Sequence, residues 1–308
     1  KEEKKMQHNY SYQSALETSE RIGWKVDDII GGDKQLDFNK PFMPESLAQV
    51  KQLSFLTPEE QRTLNQIRGY EYLAMFGLVE EFILPFVVDH ARPQLSGDDY
   101  RVRALLQFAG EEAKHIHLFK RFRQEFENDF GSKCDFIGPA EDVSRFVLGH
   151  SPLGVGIAVL HIEWITLRHY IEGVRDNQNL DPQFKSLLKN HWLEESQHTK
   201  LDTLILESVV KDASPQEIDQ AFKEYGEIGA FLDQGIQQQT EFDVESFVQA
   251  TGKKLSKSER EEMTAAVLKG MRWTYLGTGM THPNFLETVQ SIKPEARQQI
   301  EQMAPAFC

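Results

Sequence analysis

Two Glu-x-x-His turns are the residues of this sequence best suited to metal chemistry. One contains Glu112 and His115, in the run Glu-Glu-Ala-Lys-His, and the other contains Glu195 and His198, in the run Glu-Glu-Ser-Gln-His. Residues three positions apart on an α-helix lie on the same face within one turn. Each turn can therefore present a carboxylate and an imidazole to the same point.

Apolar residues lie before and after both turns on the same helical faces. Leu105, Phe108 and Phe119 share the register of the first turn, and Leu188 and Ile205 share that of the second. A carboxylate or an imidazole that faces a core costs free energy unless it is paired or ligates a metal. We therefore expect both turns to face inward and to bind metal.

His191 adds a third potential ligand to the second helix. It lies one turn before Glu195 and gives the pattern His-x-x-x-Glu-x-x-His, whereas Phe108 stands at the matching position of the first helix. Asp202 lies one turn beyond His198 and could accept a hydrogen bond from a ligand imidazole.

Further glutamates lie in apolar segments about thirty residues before these turns. Glu163 precedes Glu195 by 32 residues, and Glu81 precedes Glu112 by 31. Two antiparallel helices joined by a loop bring residues at this separation to the same height in a bundle. The spacing, and the analogy with the other Glu-Glu pairs, favour Glu81 over its neighbour Glu80, which stays the alternative.

The predicted metal ligands come from four helices. The alternatives are a solvated helix face for a single Glu-x-x-His turn and a purely structural bundle, but the latter leaves the buried polar groups without compensation. The predicted ligands are Glu81, Glu112, His115, Glu163, His191, Glu195 and His198.

Capping signals such as Thr57-Pro58-Glu59-Glu60 divide the chain into helices. No segment shows the alternating pattern of a half-buried strand, so we predict an all-α fold. Residues 1–56 are predicted to form an irregular N-terminal arm and residues 57–308 a single helical domain, with a core bundle over 57–210 and accessory helices over 214–308. The predicted helices span about 57–90, 98–128, 151–174, 181–210, 214–239 and 256–273, with one or two more after residue 283 and a loop over 131–142.

The composition excludes several classes of protein. A net charge of −14 over 308 residues disfavours a nucleic-acid-binding surface. The longest apolar run, residues 82–88, is far shorter than a membrane span. Cys134 and Cys308 form no metal or redox motif, which favours a reducing cytoplasm. We therefore expect a soluble, cytoplasmic protein.

The predicted ligand set resembles that of the ferritin-like non-haem di-iron carboxylate superfamily. The extra imidazole of His191 is similar to the p-aminobenzoate N-oxygenase family, whose centre carries a third histidine ligand. The resemblance covers residues from about 60 to 290, including a His-Pro-x-Phe segment at His282 to Phe285. The run HIHLF that begins at His115 lacks a methionine expected in the family pattern. This departure favours a divergent branch.

The resemblance implies a ferritin-like four-helix bundle that binds two Fe ions, with Mn as the alternative metal. Mixed carboxylate and imidazole ligands suit Fe(II) and Mn(II), whereas zinc usually takes four ligands. The implied activity is O2-dependent N-oxygenation of an aryl amine or a related small molecule through a peroxo di-iron intermediate. A hydroxylase, a desaturase or a ferroxidase is the alternative. The substrate, the electron donor and the assembly state, for which a homodimer is one option, stay open.

Overall fold

The computed structural model describes residues 8–308, so the first seven residues of the predicted arm lie outside the described part. Over residues 8–308 the chain forms helices and one isolated β-bridge between Gly31 and Lys34, with no β-strand. The all-α prediction is confirmed. Within the same range, no helix is long and apolar enough to span a bilayer. The helices are α1 (Tyr12–Ile22), α2 (Val26–Ile29), α3 (Glu45–Ala48), α4 (Pro58–Ala91), α5 (Asp99–Asp129), α6 (Ala140–Leu148), α7 (Pro152–Arg168), α8 (Pro182–Asp212), α9 (Pro215–Thr251), α10 (Lys257–Arg272), α11 (Thr278–Met280), α12 (Pro283–Ile292) and α13 (Pro294–Met303).

The four long helices of the core begin where the capping signals predict. Thr57 and Glu60 form a reciprocal capping box at the start of α4, in which each side chain accepts a hydrogen bond from the other residue's backbone N–H. The side chains of Asp98, Ser151 and Asp181 cap α5, α7 and α8 by accepting from backbone N–H groups of the first turn. These caps satisfy donors that have no partner inside the helix.

The core is a four-helix bundle. Helix α4 packs along α5, and α7 packs along α8. Because a short connection joins the helices of each pair, the two helices run antiparallel. Contacts of α5 with α8 and of α4 with α7 join the pairs and close the bundle. The middles of all four helices therefore face one another.

The accessory helices differ from the prediction in length and number. Helix α9 continues to Thr251 rather than ending near residue 239, because Val244 and Phe247 extend its buried face, and it ends at Gly252 in the left-handed region. Helix α6 begins inside the segment predicted as a loop. Two π-helical turns, His169–Val174 and Trp273–Gly277, extend α7 and α10. Helix α9 packs against both α4 and α7.

The N-terminal arm is irregular only in part, because it contains the eleven-residue helix α1. Helix α1 starts at the cap Ser11, ends at Gly23 in the left-handed region and packs against α5 and α8. After it, Trp24 donates its indole N–H to the backbone oxygen of Asn190 at 3.0 Å. Helix α1 and Trp24 thus cover the side of the bundle opposite α9, whereas α3 packs against α10. The division of the chain at residue 56 stays a prediction.

We expect Gly69→Ala to destabilise the fold. A Cβ atom at Gly69 would lie 2.9 Å from Cβ of Phe42 and 3.4 Å from Cε2 of Phe184, two rings that stack at 5.2 Å. Overpacking of this kind costs about 1–3 kcal/mol of unfolding free energy. Gly226→Ala on α9 is the control, because its Cβ would meet nothing within 4 Å, and it should raise the unfolding free energy by roughly 0.5–1 kcal/mol. Urea denaturation measures both, and a Gly69→Ala protein as stable as the wild type would contradict the packing.

Candidate metal centre

Each helix of the core bundle contributes a buried glutamate to the middle of the bundle. Glu80 on α4, Glu112 on α5, Glu163 on α7 and Glu195 on α8 are each at most 2% exposed. His115, His191 and His198 are equally buried and lie among these glutamates.

One set of ligand atoms is formed by Glu80, His115, His191 and Glu195. Their nearest nitrogen and oxygen atoms all lie within 4.8 Å of one another. Nε2 of His191 is 3.0 Å from Oε1 of Glu80 and 2.8 Å from Oε1 of Glu195. Nδ1 of His115 is 3.0 Å from the same Glu195 oxygen. A cation between these atoms would have two imidazole and two carboxylate ligands.

A second set overlaps the first. Nδ1 of His198 lies 2.9 Å from Oε1 of Glu112 and 3.2 Å from Oε2 of Glu195. Oε2 of Glu163 is 3.9 Å from the same nitrogen. Glu195 thus turns one oxygen toward each set, which is the position of a carboxylate that bridges two metal ions.

The unpaired atoms of the cluster test whether the site fits metal. Buried polar atoms are normally hydrogen-bonded. Here several atoms that face the common space have no hydrogen-bond partner in the protein, and their lone pairs converge. This arrangement fits a pair of divalent cations. The unpaired atoms are Glu80 Oε2, both carboxylate oxygens of Glu112, Glu163 Oε2, Glu195 Oε1 and His115 Nδ1.

Burial and mutual repulsion change the acidity of these carboxyl groups. Burial, with the charges of Glu80 and Glu195 next in importance, raises the pKa of Glu112 to about 7. Burial raises the pKa of Glu163 well above its usual value. Burial would also raise the pKa of Glu195, but His198 and the other imidazoles outweigh it and hold that pKa well below the usual range. A cation that binds here replaces protons.

The first glutamate of each Glu-Glu pair orients the histidine of the other helix. Glu194 on α8 accepts a hydrogen bond from Nε2 of His115 at 2.8 Å, and Glu111 on α5 accepts one from Nε2 of His198 at 2.9 Å. An ionised carboxylate only accepts, so Nε2 carries the proton and Nδ1 turns its lone pair toward the cluster. Both oxygens of Asp202 lack a partner, so Asp202 does not have the acceptor role that its position suggested. The repeated Glu-Glu pair was the sequence signal for these two hydrogen bonds between α5 and α8.

Glu81 lies outside the cluster, and Glu80 stands in its place. The Glu81 side chain is 36% exposed and lies 3.7 Å from Nζ of Lys120, whereas that of Glu80 is 2% exposed. Adjacent helix residues point about 100° apart, and on α4 it is Glu80 that points into the cluster. Glu80 precedes Glu112 by 32 residues, the same separation as Glu163 and Glu195. The equal spacing of the two halves was the better guide.

The N-terminal arm covers these outer glutamates. Nζ of Lys114 contacts Glu194 and donates to the backbone oxygen of Trp24 at 3.1 Å. The Trp24 ring stacks against His115 with centroids 5.8 Å apart. On α1, Oγ of Ser19 donates to Glu111 at 3.5 Å. The arm therefore shields from water the groups that hold two of the three imidazoles.

The ligand arrangement is that of the ferritin-like di-metal carboxylate proteins. Those proteins take a glutamate from each of two helices and a Glu-x-x-His motif from each of the other two, all pointing inward. In this chain, α4 and α7 carry the single buried glutamates Glu80 and Glu163, and α5 and α8 carry the motifs. The two groups of ligand atoms within 4.8 Å of one another include Glu80 but not Glu163. His191 is an addition to that pattern.

Comparison with known proteins gives distant structural matches. No family model matches the sequence, and no curated protein is significantly similar to it. An R2-like ligand-binding oxidase with a Mn/Fe cofactor is 15% identical, with a TM-score of 0.45 over 87% of this chain and 92% of that chain. A tyrosine-to-phenylalanine variant with a Mn/Fe cofactor is 15% identical, with a TM-score of 0.47 over 88% of this chain and 94% of that chain. A glycine-to-leucine variant with an Fe/Fe cofactor is 14% identical, with a TM-score of 0.45 over the same shares. Sequence identities and TM-scores this low carry no functional argument, so the function is inferred from the chain's own side chains.

Replacing Glu194 by alanine should weaken metal binding while leaving every ligand in place. The change removes the acceptor that orients His115, and losses of such acceptors typically cost about 10–100-fold in metal affinity. Equilibrium dialysis against Fe(II) under anaerobic conditions measures the affinity. Glu81→Ala is the matched control and should bind like the wild type, whereas Glu80→Ala should lose one ion. Weakened binding in Glu81→Ala, with Glu80→Ala unaffected, would contradict the geometry.

Proposed function

We propose that this protein is an O2-dependent non-haem di-metal oxidoreductase that acts on a small organic molecule. The observation that carries the proposal is Glu195, which turns one oxygen toward each of two overlapping sets of buried ligands. Mixed carboxylate and imidazole ligands favour iron or manganese over softer metals. The preferred cofactor is a pair of Fe ions, with a mixed Mn/Fe pair as the alternative.

Seven side chains could together bind two ions. Glu80, His115 and His191 would hold one ion, and Glu112, Glu163 and His198 the other, with Glu195 shared between them. A pair of redox-active ions held there would supply two electrons for the reduction of O2. The chain itself fixes the ligand geometry, and the burial of the site excludes bulk water from the reaction.

An enzyme is favoured over an iron store by what surrounds the site. Helices α9 and α10 lie outside the four-helix core, and α9 covers the side formed by α4 and α7. A cavity of about 430 Å³ lies between α7, α9 and the C-terminal residues. Storage of iron needs no such cavity, whereas a substrate does.

Within this class, we propose N-oxygenation of an aryl amine. His191, the third imidazole, supports it by its similarity to the p-aminobenzoate N-oxygenase family. In the first step one oxygen atom of O2 is inserted into an N–H bond of the amine to give a hydroxylamine. The other oxygen atom leaves as water, with two electrons and two protons supplied by an external reductant. That reductant stays open, as does a dimeric assembly.

The cytoplasm is the compartment that we propose. Cys134 is buried, Cys308 is exposed, and both are free thiols. Unpaired cysteines are typical of proteins kept under reducing conditions.

Anaerobic loading with Fe(II) should give two ions per chain, and admission of O2 should then cause oxygen uptake at an electrode. His191→Phe copies the residue at the matching position of α5, Phe108. It should keep the second set of ligands intact while weakening the first, and oxygen uptake should fall by about 10-fold or more because both ions must act together. A wild-type protein that binds two iron ions but takes up no O2 would rule out the proposed class of reaction.

N-oxygenation itself can be tested with p-toluidine and a chemical reductant. The iron-loaded protein should convert the amine to its hydroxylamine, identified by mass spectrometry with the oxygen atom derived from labelled O2. Glu195→Ala, which removes the shared carboxylate, should abolish the product. Ring or methyl hydroxylation in place of N-oxygenation would keep the oxygenase and reject the aryl amine chemistry.

A further inference from the structure

The cavity between α7, α9 and the C-terminal residues has an apolar wall. Its volume is about 430 Å³, enough for a molecule of two or three rings. It opens where Gly226 and Ala230 of α9 meet the solvent. The apolar wall includes Ile162, Ile228, Leu232, Leu276 and Met280.

A narrow apolar crevice continues from this cavity toward the metal centre. Ile162, Leu232 and Tyr275 line both the cavity and the crevice, which has a volume of only about 20 Å³. The crevice ends at Phe76 and Val79 of α4. The two spaces therefore share a wall and lead inward from the surface.

Two pairs of sequence neighbours and one ring contact place the inner end of the crevice near the metal centre. Val79 directly precedes Glu80, and Ile162 directly precedes Glu163. The Phe76 ring meets that of His191 edge to face, with centroids 5.7 Å apart. A molecule in the cavity is thus one layer of side chains away from the metal centre.

The charge of the cavity wall is compensated. Of the described residues that line it, Asp233 is the one with a formal charge. Its carboxylate accepts two hydrogen bonds from Arg272, both at 2.7 Å, and a third from Gln237 at 2.8 Å. Neither a free cation nor a free carboxylate from this part of the chain therefore faces a ligand.

The polar groups of the deeper wall are neutral. Nδ1 of His161 lies 2.9 Å from the hydroxyl oxygen of Tyr225, and its Nε2 lies 3.0 Å from the backbone oxygen of Tyr275. Burial lowers the pKa of His161 to about 4, so the imidazole is uncharged at neutral pH. Because the Tyr225 hydroxyl donates to His161, its oxygen is left to accept a hydrogen bond from a ligand N–H or O–H.

We propose that this cavity is the substrate pocket and that it selects a neutral, mainly apolar molecule with one hydrogen-bond donor. Its role as a substrate pocket rests on the proposed function, whereas its selectivity for a neutral ligand does not. A carboxylate or sulfonate on the ligand would be buried without a cation to pair with, which is costly. An aryl amine that enters here therefore carries no acidic group.

Two fluorescent probes with the same ring system test the selectivity. N-phenyl-1-naphthylamine is neutral, and 8-anilino-1-naphthalenesulfonate is an anion of similar shape. The neutral probe should bind the full chain at least about tenfold more tightly, with or without iron, because the anion would lose its hydration without gaining a partner. Equal or tighter binding of the anion would overturn the proposal.

Variants on α9 locate the binding site. Gly229→Phe should reduce the affinity for the neutral probe by at least about tenfold, because a Cβ at Gly229 meets nothing within 4 Å and the ring fills a ligand-sized cavity. Gln238→Phe is the matched control, because Gln238 is exposed on the same helix and does not line the cavity. Gln234→Lys adds a cation to the lining of the cavity and should reduce the difference in affinity between the neutral and the anionic probe. Unchanged binding in Gly229→Phe would refute the location.

Oxygen uptake separates this inference from the proposed function. Suppose that the neutral probe binds selectively, that Gly229→Phe abolishes this binding, and that the iron-loaded protein takes up no oxygen. This result would confirm a ligand-binding pocket that selects neutral molecules, and it would reject the oxidoreductase. With the oxidoreductase intact, Gly229→Phe should lower the turnover of p-toluidine while keeping two bound iron ions. If 4-aminobenzoate were turned over as fast as p-toluidine, the selectivity for a neutral substrate would be overturned, whereas the oxidoreductase function would stand.

Discussion

Glutamate side chains are expensive to bury, and this chain buries six of them in the middle of one bundle: Glu80, Glu111, Glu112, Glu163, Glu194 and Glu195. Lys114 contacts one of them from the edge of the bundle, and three imidazoles lie among the rest. Hydrogen bonds satisfy the two outer glutamates, but the inner four keep atoms without partners. Positive charge in the space between them would offset the free-energy cost of this arrangement. The surrounding structure is arranged to keep that space in shape.

The two sides of the bundle have different tasks. Helix α1 and Trp24 lie on the side of α5 and α8, where they hold the outer glutamates away from water. Helix α9 lies on the side of α4 and α7, where the chain leaves an apolar cavity. The second side encloses that cavity, whereas hydrogen bonds that involve Trp24 and Ser19 close the first side.

The sequence predicted the helices of the core because their caps are local signals. The candidate ligands were recognisable from the repeat, since the two residues of a Glu-x-x-His turn share one face of any helix. Their role as metal ligands stays a prediction. The sequence favoured Glu81 over Glu80, whereas Glu80 is the residue that lies in the buried cluster. The analogy with the other Glu-Glu pairs has no force on α4, which carries no histidine in register. Glu111 and Glu194 each accept a hydrogen bond from the histidine of the other helix, which depends on how α5 and α8 face each other. The cavity depends on where α9 packs. Neither feature can be predicted from a local sequence pattern.

The three imidazoles of the cluster are not held alike. His115 and His198 are each tied at Nε2 to a carboxylate of the opposite helix, but Nδ1 of His191 has no hydrogen-bond partner. Nε2 of His191 contacts Glu80 and Glu195 inside the cluster, and the ring packs against Phe76 and Phe119. No hydrogen bond outside the cluster holds this ring, so its orientation depends on the cluster and on packing. Among the three candidate imidazole ligands, His191 is therefore the one without an outer hydrogen bond, and its ring lies against Phe76 in the wall of the crevice through which a molecule would arrive. The approach of that molecule and the number of ligands on one metal ion are linked through a single side chain.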